Sequence, residues 1–554
     1  QLAIPTTLQA SLMSRVDRLG SAREVLQIGA AIGREFSYEL LAAVAGLADQ
    51  VLQDALGRLI EAELLYGRGT PPNATYAFKH ALVQDTAYST MLRARRQQLH
   101  GAIAAVLERR FPDTAPELLA QQFEGAGRVE QAIHYWRKAG DRDLRRFAMK
   151  ESIAHYSHAF RLVTAMPETP LRAELELAVR LELGLAQQLL FGPTSKDWFL
   201  HYQRALELSQ VLPQKGRERF LATWGVWFGH TMMGHTKETF EYGDELLVIA
   251  RELDDPDLLL EAYHAKVPGM MRRGNFPAMR DTALEVLSRY DRERHRDHAF
   301  FFGGHDAQVC AQCFYGMSLW GAGFPEQAQR EVARAYEFAQ TLGHAFSIAH
   351  SLNVGSLTHL LLNDVEAIRT VTDELYPFSE RHKFAWPMAY ARFQRGWLLA
   401  QGGDRREGAA RMTEAITNAP LAAFHPIVWA SIAEQHLLVG SLDAASEALV
   451  QAGANGVQFY ESEIMRLRSA ILLAQSAQNV AEAEAVLRQA ITITVAQSCR
   501  PLELRAVTSL ARLLADNGRQ SEARDILAPL YASFTEGFQH ADWKAAKALL
   551  DQLN

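Results

Sequence analysis

The spacing of apolar residues changes character once along this chain. In the first ~95 residues short helical patterns give way to alternation. Leu8, Leu12, Val16 and Leu19 share one helical face behind Thr6 or Thr7 as cap. Val25, Ile28 and Ile32 form a second face that Ser21 can cap and Gly33 ends. Ser37 opens a third helix through Leu40, Leu41 and Val44, stopped at Gly46, and Asp49 to Ala62 reads as a fourth. "LLYGRGTPPNATYAFKH" then offers two short strands around a Gly/Pro/Asn turn. Helices followed by a β-hairpin predict a winged helix. In "YAFKHALVQDTAY" the alternation switches to helical spacing at His80, read as the last residue of the second wing strand.

From about residue 113 strand signals vanish. One element recurs: a glycine, four residues, then a small or apolar residue inside a new helix. It appears at Gly127–Ala132, Gly234–Thr239, Gly274–Met279, Gly323–Ala328, Gly403–Gly408, Gly440–Ala445 and Gly518–Ala523, with Asn363 and Asn479 in equivalent places. From Gly234 the steps between turns are 40, 49, 40, 40, 37, 39 and 39 residues. Two helices per period near 40 predict an α-solenoid, because each hairpin has one more apolar face than it can bury alone. "CFYGMSLWGAGFPEQAQREVARAYEFA" resembles a tetratricopeptide (TPR) unit, with Trp320, Gly323 and Ala328 in the expected order. The fold class expected is therefore mainly α: a small winged-helix domain with its connecting helix over residues 1–110, then a TPR-like α-α superhelix over 111–554. A sub-boundary is placed near 166–195. The long step holds "RERHRDHAFFFGGHD", an insertion loop over 292–306.

Composition narrows the class. At 554 residues the chain exceeds one ordinary core. Apolar content of 48% with 22% charged residues argues against general disorder. A formal charge of −7 with both signs interspersed argues against a dedicated nucleic-acid binder. Three cysteines cannot make a disulfide framework and point to a reducing, cytoplasmic setting. No run of about 18 uncharged apolar residues suggests a membrane span. The opening "QLAIPTTLQASLMSRVDRL" lacks both an initiator Met and a signal-peptide pattern, so a piece of a longer protein is expected.

Four stretches resemble one bacterial group: "IPTTLQASLMSRVDRL", "IGREFSYELLAAVAG", "FKHALVQDTAYSTMLRARRQQLHGAIAAVLE" and the C-terminal "LELRAVTSLARLLADNGRQSEARDILAPLYASFTEGFQHADWKAAKALLDQL". The group joins a class III adenylate/guanylate cyclase domain, a P-loop signalling ATPase of the STAND type, a winged helix and a TPR-like tail. The resemblance implies that catalytic parts lie upstream of Gln1 and that the parent uses ADP or ATP with magnesium. It implies that His80 contacts the phosphates of ADP held by the upstream ATPase. The chain itself has no G-x-x-x-x-G-K-[ST] stretch ("FGPTSKDW" has the wrong spacing) and no paired cyclase aspartates, so no catalysis and no cofactor of its own are expected. The partners implied are the upstream ATPase and cyclase domains and a protein or small-molecule effector, with oligomerisation on activation. Two rivals stand beside this regulatory reading. One is the sensor part of a maltose-regulator-like transcriptional activator, disfavoured because "DWKAAKALLDQLN" ends within a repeat; the other is a plain TPR scaffold.

Other candidates are weighed on residue type. Trp224, Trp227, Phe301, His305, Trp320 and Trp386 are candidates for a ligand or partner groove, since solenoids present concave binding surfaces, although aromatics at helical spacing also build inter-repeat core. Cys310 and Cys313 form a CxxC five residues after His305, but zinc would need a fourth ligand, so core packing is expected and no metal. His155 and His158 read as an ordinary helix surface, and "RARRQQLH" (Arg93–His100) as a solvated face leading into the repeats.

Overall fold

The computed structural model describes residues 20–191, 195–418, 425–454 and 457–553. The expected helix behind Thr6 or Thr7 lies outside them. The chain divides into two compact units between Arg172 and Ala173.

In the first unit, helices Ala22–Ile32, Tyr38–Ala45 and Asp49–Glu61 surround a small antiparallel sheet of β1 (Glu35–Ser37), β2 (Leu65–Arg68) and β3 (Thr75–Phe78). The strand order is β1-β3-β2, with Phe36 opposite Tyr76 and Leu65 opposite Phe78. Alternation places Tyr76 and Phe78 inward with Phe36, over Val25, Leu26 and Leu41. Ser37 caps its helix as expected: its Oγ accepts from Leu40 N at 3.2 Å, and Gly46 ends the helix at φ 63°. Ser21 precedes its helix but makes no capping bond. β3 stops at Phe78, so His80 follows the strand and is the N-cap position of helix Ala81–Ser89.

The helices after the sheet belong to the same unit. In helix Arg93–Arg110, His100 is buried rather than solvated. Tyr88 Oη meets His100 Nε2 at 2.8 Å, and His100 Nδ1 meets Gln122 Oε1 at 2.7 Å. The Gln122 amide then donates to the Ala31 and Ile32 carbonyls. One polar chain thus ties helix Pro116–Gly125 to the open C-terminus of helix Ala22–Ile32. His155 and His158 are half-buried beside Trp136. They meet Asp143 at 3.0 Å and Glu124 at 2.8 Å, carboxylates from preceding helices that helical spacing alone does not pair with them.

The second unit is a TPR-like solenoid of antiparallel helix pairs. The first helices of successive pairs begin at residues 216, 256, 307, 345, 385, 425, 461 and 500. The turn glycines of the repeated element all have positive φ, from 66° to 110°, and Asn363 adopts 52°. Asn479 does not follow them: at φ −82° it closes a 3₁₀ turn and its amide donates to Leu472 O. The residue five places after each glycine is buried at Ala132, Thr239, Met279, Ala328, Ala445 and Ala523. Asp255, Asn275, Asp306 and Asp364 cap second-unit helices with side-chain oxygens.

Residues 292–306 are an ordered insertion rather than an open loop. Helix Arg292–His295 runs into a 3₁₀ turn, Arg296–Phe300, and then a bend at Gly303 and Gly304. A Cβ at Gly303 would fall 2.3 Å from Trp224, and one at Gly304 1.9 Å from Leu189. Positive φ and close approach together require both glycines there.

Candidate functional site

Two cavities in the solenoid compete as the functional site. The larger, about 450 Å³, is lined by Trp397, Glu434, Glu463, Arg466, Arg505 and Asp542, among others. Two of its guanidiniums are matched to carboxylates. Arg466 forks onto Glu463 at 2.7 and 3.0 Å, and Arg505 donates to Asp542 at 2.7 Å and to the Leu361 carbonyl. Such a satisfied network holds helices together and asks for no further partner.

The smaller cavity, about 50 Å³, is different in kind. Helices Gly216–Met233, Pro256–Arg272, Ala307–Gly321, Ala345–Leu361 and Ala385–Gln401 contribute Trp227, Arg272, Phe314, His350 and Trp386 to its wall. The insertion adds Gly303 and His305. The wall is mostly apolar, yet several of its polar atoms lack a partner among the described residues: Trp227 Nε1, Arg272 Nη1 and both nitrogens of His350. Arg272 is wholly buried and donates to the Thr231 carbonyl, but no carboxylate among the described residues pairs with it. Burial pulls its pKa down to about 10, which leaves it charged at neutral pH. Burial pushes His350 down to about 3, so its ring is neutral. Unmatched polar groups also occur elsewhere in the interior, but here they line a cavity, and a charged donor on a cavity wall can receive an acceptor.

Beside the cavity lies a buried acid–histidine cluster. Glu261 receives His264 Nδ1 on one oxygen at 2.8 Å and His298 Nδ1 on the other at 2.9 Å. Burial opposes ionisation of Glu261, but these bonds outweigh it and hold the carboxyl below its ordinary range. His264 Nε2 faces His305 Nε2 at 3.1 Å, and His305 stacks on His350 at 3.8 Å. Cys310 is buried among them, and burial pushes its thiol well above the usual range. Cys313 points elsewhere, to Ser351 O at 3.9 Å.

The candidates named from sequence fall in several places. Trp227, His305 and Trp386 come together on the smaller cavity. Trp224 lies behind it, packed on Trp227 and Phe302. Trp320 is wholly buried against Phe276, and Phe301 is 46% exposed. His80 is exposed in the first unit, and its imidazole makes no capping bond. Nothing in the sequence pattern distinguishes Arg272, His264, Glu261 and His350 as site residues. Glu261 and His264 lie three residues apart on one helix, a spacing that reads as an ordinary helical pair, and Arg272 precedes a second arginine; only the tertiary surroundings set them apart.

No protein-family model matches the chain. An uncharacterized protein of Rhizobium meliloti (strain 1021) is 28% identical over 526 residues, which cover 92% of this chain and 50% of that protein. The chain thus spans about half the length of the curated relative it matches. Similar solved structures include the Cut9–Hcn1 hetero-tetramer of APC/C (15% identity, 84% of this chain and 96% of that chain, TM-score 0.45). A Rap protein complexed with Competence and Sporulation Factor is 16% identical over 72% of this chain and 100% of that chain, with a TM-score of 0.43. A STAND protein with a tetratricopeptide repeat sensor from Pyrococcus horikoshii is 12% identical over 100% of this chain and 67% of that chain, with a TM-score of 0.32. No single helix among the described residues is long and apolar enough to cross a membrane.

Proposed function

We propose that the chain is a regulatory and protein-interaction module of a longer STAND-type signalling protein, without catalysis of its own, whose solenoid senses an effector that presents an anionic group. The observation that carries the effector reading is Arg272, a buried guanidinium with no carboxylate partner among the described residues, on the wall of a mostly apolar cavity. Leaving such a charge unmatched is costly, and a carboxylate from outside would supply the missing acceptor. The cavity accepts an anchoring group rather than a whole ligand, so the effector is a peptide terminus or an acid with a larger body outside. On this reading residues 22–78 form a winged helix. His80, exposed at a helix N-terminus, would contribute a donor to phosphates of ADP bound with magnesium by an upstream ATPase. Effector binding acts by preferring one of two arrangements of ATPase and sensor, and so alters an upstream cyclase or the oligomeric state. The twofold greater length of the Rhizobium meliloti relative leaves room for further domains.

The test compares the wild-type chain with Arg272→Met by thermal melting and calorimetry, titrating acetate, short dicarboxylates and peptides with free C-termini. The variant is expected to melt at or above wild type, because it removes an unmatched buried charge and keeps the apolar bulk. Wild type alone should bind one of the acids. A destabilised variant, or equal binding by both, would make Arg272 structural and remove this reading. ATP turnover by the chain alone would contradict its non-catalytic part.

A further inference from the structure

The hydrogen bonds around His264 and His305 leave a polarity conflict between them. A carboxylate only accepts, so His264 carries a proton on Nδ1 toward Glu261 Oε2, at 2.8 Å. A carbonyl only accepts, so His305 carries its proton on Nδ1 toward Gly303 O, at 3.2 Å. Two neutral rings fixed this way both present bare Nε2 lone pairs, and these face one another at 3.1 Å. Either one ring takes a second proton or a cation lies against both nitrogens. A third donor converges on the same point: the ligating atoms of His264, His305 and Cys310 all lie within 4.8 Å of one another, and all three residues are buried.

We infer that His264 Nε2, His305 Nε2 and Cys310 Sγ bind a divalent metal ion of the zinc class, with Glu261 orienting His264 from behind. Nitrogens bound to tetrahedral zinc at about 2.0–2.1 Å lie about 3.3 Å apart, near the separation observed. A carboxylate on the far nitrogen of a ligating histidine fixes its tautomer and raises its basicity, which is the role open to Glu261. Two imidazoles and a sulfur, with no oxygen donor among them, suit zinc or cobalt and not magnesium or calcium. Binding releases the Cys310 proton, and thiolate plus Glu261 carboxylate then balance the dication inside a buried site. The fourth coordination position faces the smaller cavity, which His264, His305 and Cys310 all line. The Cys310–Cys313 spacing plays no part, because Cys313 points to Ser351 O. The proposal does not depend on effector binding, and its test uses no effector, so either reading can fail without the other.

The wild-type chain, stripped with chelator and shown folded by circular dichroism, is titrated with cobalt(II). A tetrahedral ligand-field spectrum and a thiolate-to-cobalt band should saturate at one equivalent and vanish when zinc is added. Glu261→Gln should weaken zinc binding about 10–100-fold. Cys310→Ser should remove the thiolate band, and Cys313→Ser should leave it unchanged. X-ray absorption of the zinc-loaded wild type needs no variant and should report one sulfur and two imidazoles. A folded wild-type chain without the cobalt spectrum, an all-oxygen zinc shell, or an undiminished thiolate band in Cys310→Ser would each overturn the site.

Discussion

At the scale of single residues, histidines partly shielded from water make stability depend on pH. His344 caps helix Ala345–Leu361 by accepting from Ser347 N through Nδ1, and burial pushes its pKa down to about 4. The folded value lies below the ordinary 6.5. Its contribution is therefore fully present above pH 6.5 and is lost as pH falls toward 4, because the unfolded chain takes a proton that the folded chain excludes. Asn keeps the cap and does not titrate. Urea denaturation of wild type and His344→Asn should diverge in slope by about 1.4 kcal/mol per pH unit across that window. Parallel curves would show that His344 is not excluded from protonation. The sequence displays His344 only as a polar residue after a glycine. Its burial and its low pKa come from neighbours such as Phe300, whose ring centroid lies 5.3 Å away.

At the scale of helix pairs, the recurring small residue is a packing requirement, and glycines with the same helical backbone should respond to substitution with opposite signs. A Cβ at Gly408 would sit 2.6 Å from Ala400 Cβ and 2.7 Å from Gly396 O, where helices Ala385–Gln401 and Arg405–Asn418 touch. Gly57 in helix Asp49–Glu61 has nothing within 4 Å of that position. Gly57→Ala should stabilise by about 0.5–1 kcal/mol through helix propensity alone. Gly408→Ala should destabilise by about 1–3 kcal/mol because backbone must move. Chemical denaturation of the two variants reads both signs. This level was largely legible in sequence: the glycine–small residue spacing expresses local needs, a left-handed stop and a close crossing. Asn479 shows the limit, since an Asn in register need not adopt the left-handed turn when a 3₁₀ turn satisfies the same carbonyls.

At the scale of the whole molecule, the second unit curls until distant repeats meet. Glu536 accepts from Glu326 N at 2.9 Å and Gln327 N at 3.1 Å, at the start of helix Pro325–Leu342. Glu326 accepts in return from Gly537 N at 2.8 Å. Phe534 covers Gly323, and Arg505 reaches the Leu361 carbonyl. A carboxylate on exposed helix amides gains from both hydrogen bonds and the helix dipole. Glu536→Ala should cost about 1–3 kcal/mol. Hydrogen exchange should then rise at residues 324–327 as well as 533–540. A rise confined to 533–540 would mean that the clasp does not couple the two ends.

The sequence by itself determined the helical pairs, their period near forty, the cap at Ser37 and the strand-to-helix junction at His80, because each follows from spacing within a few residues. Tertiary structure alone decided that His264, His305 and Cys310 converge, that Arg272 is buried with no carboxylate partner among the described residues, and that Glu326 meets Glu536. Those outcomes depend on small rotations accumulated from pair to pair and on where the 292–306 insertion folds, and no local pattern of residues records that sum.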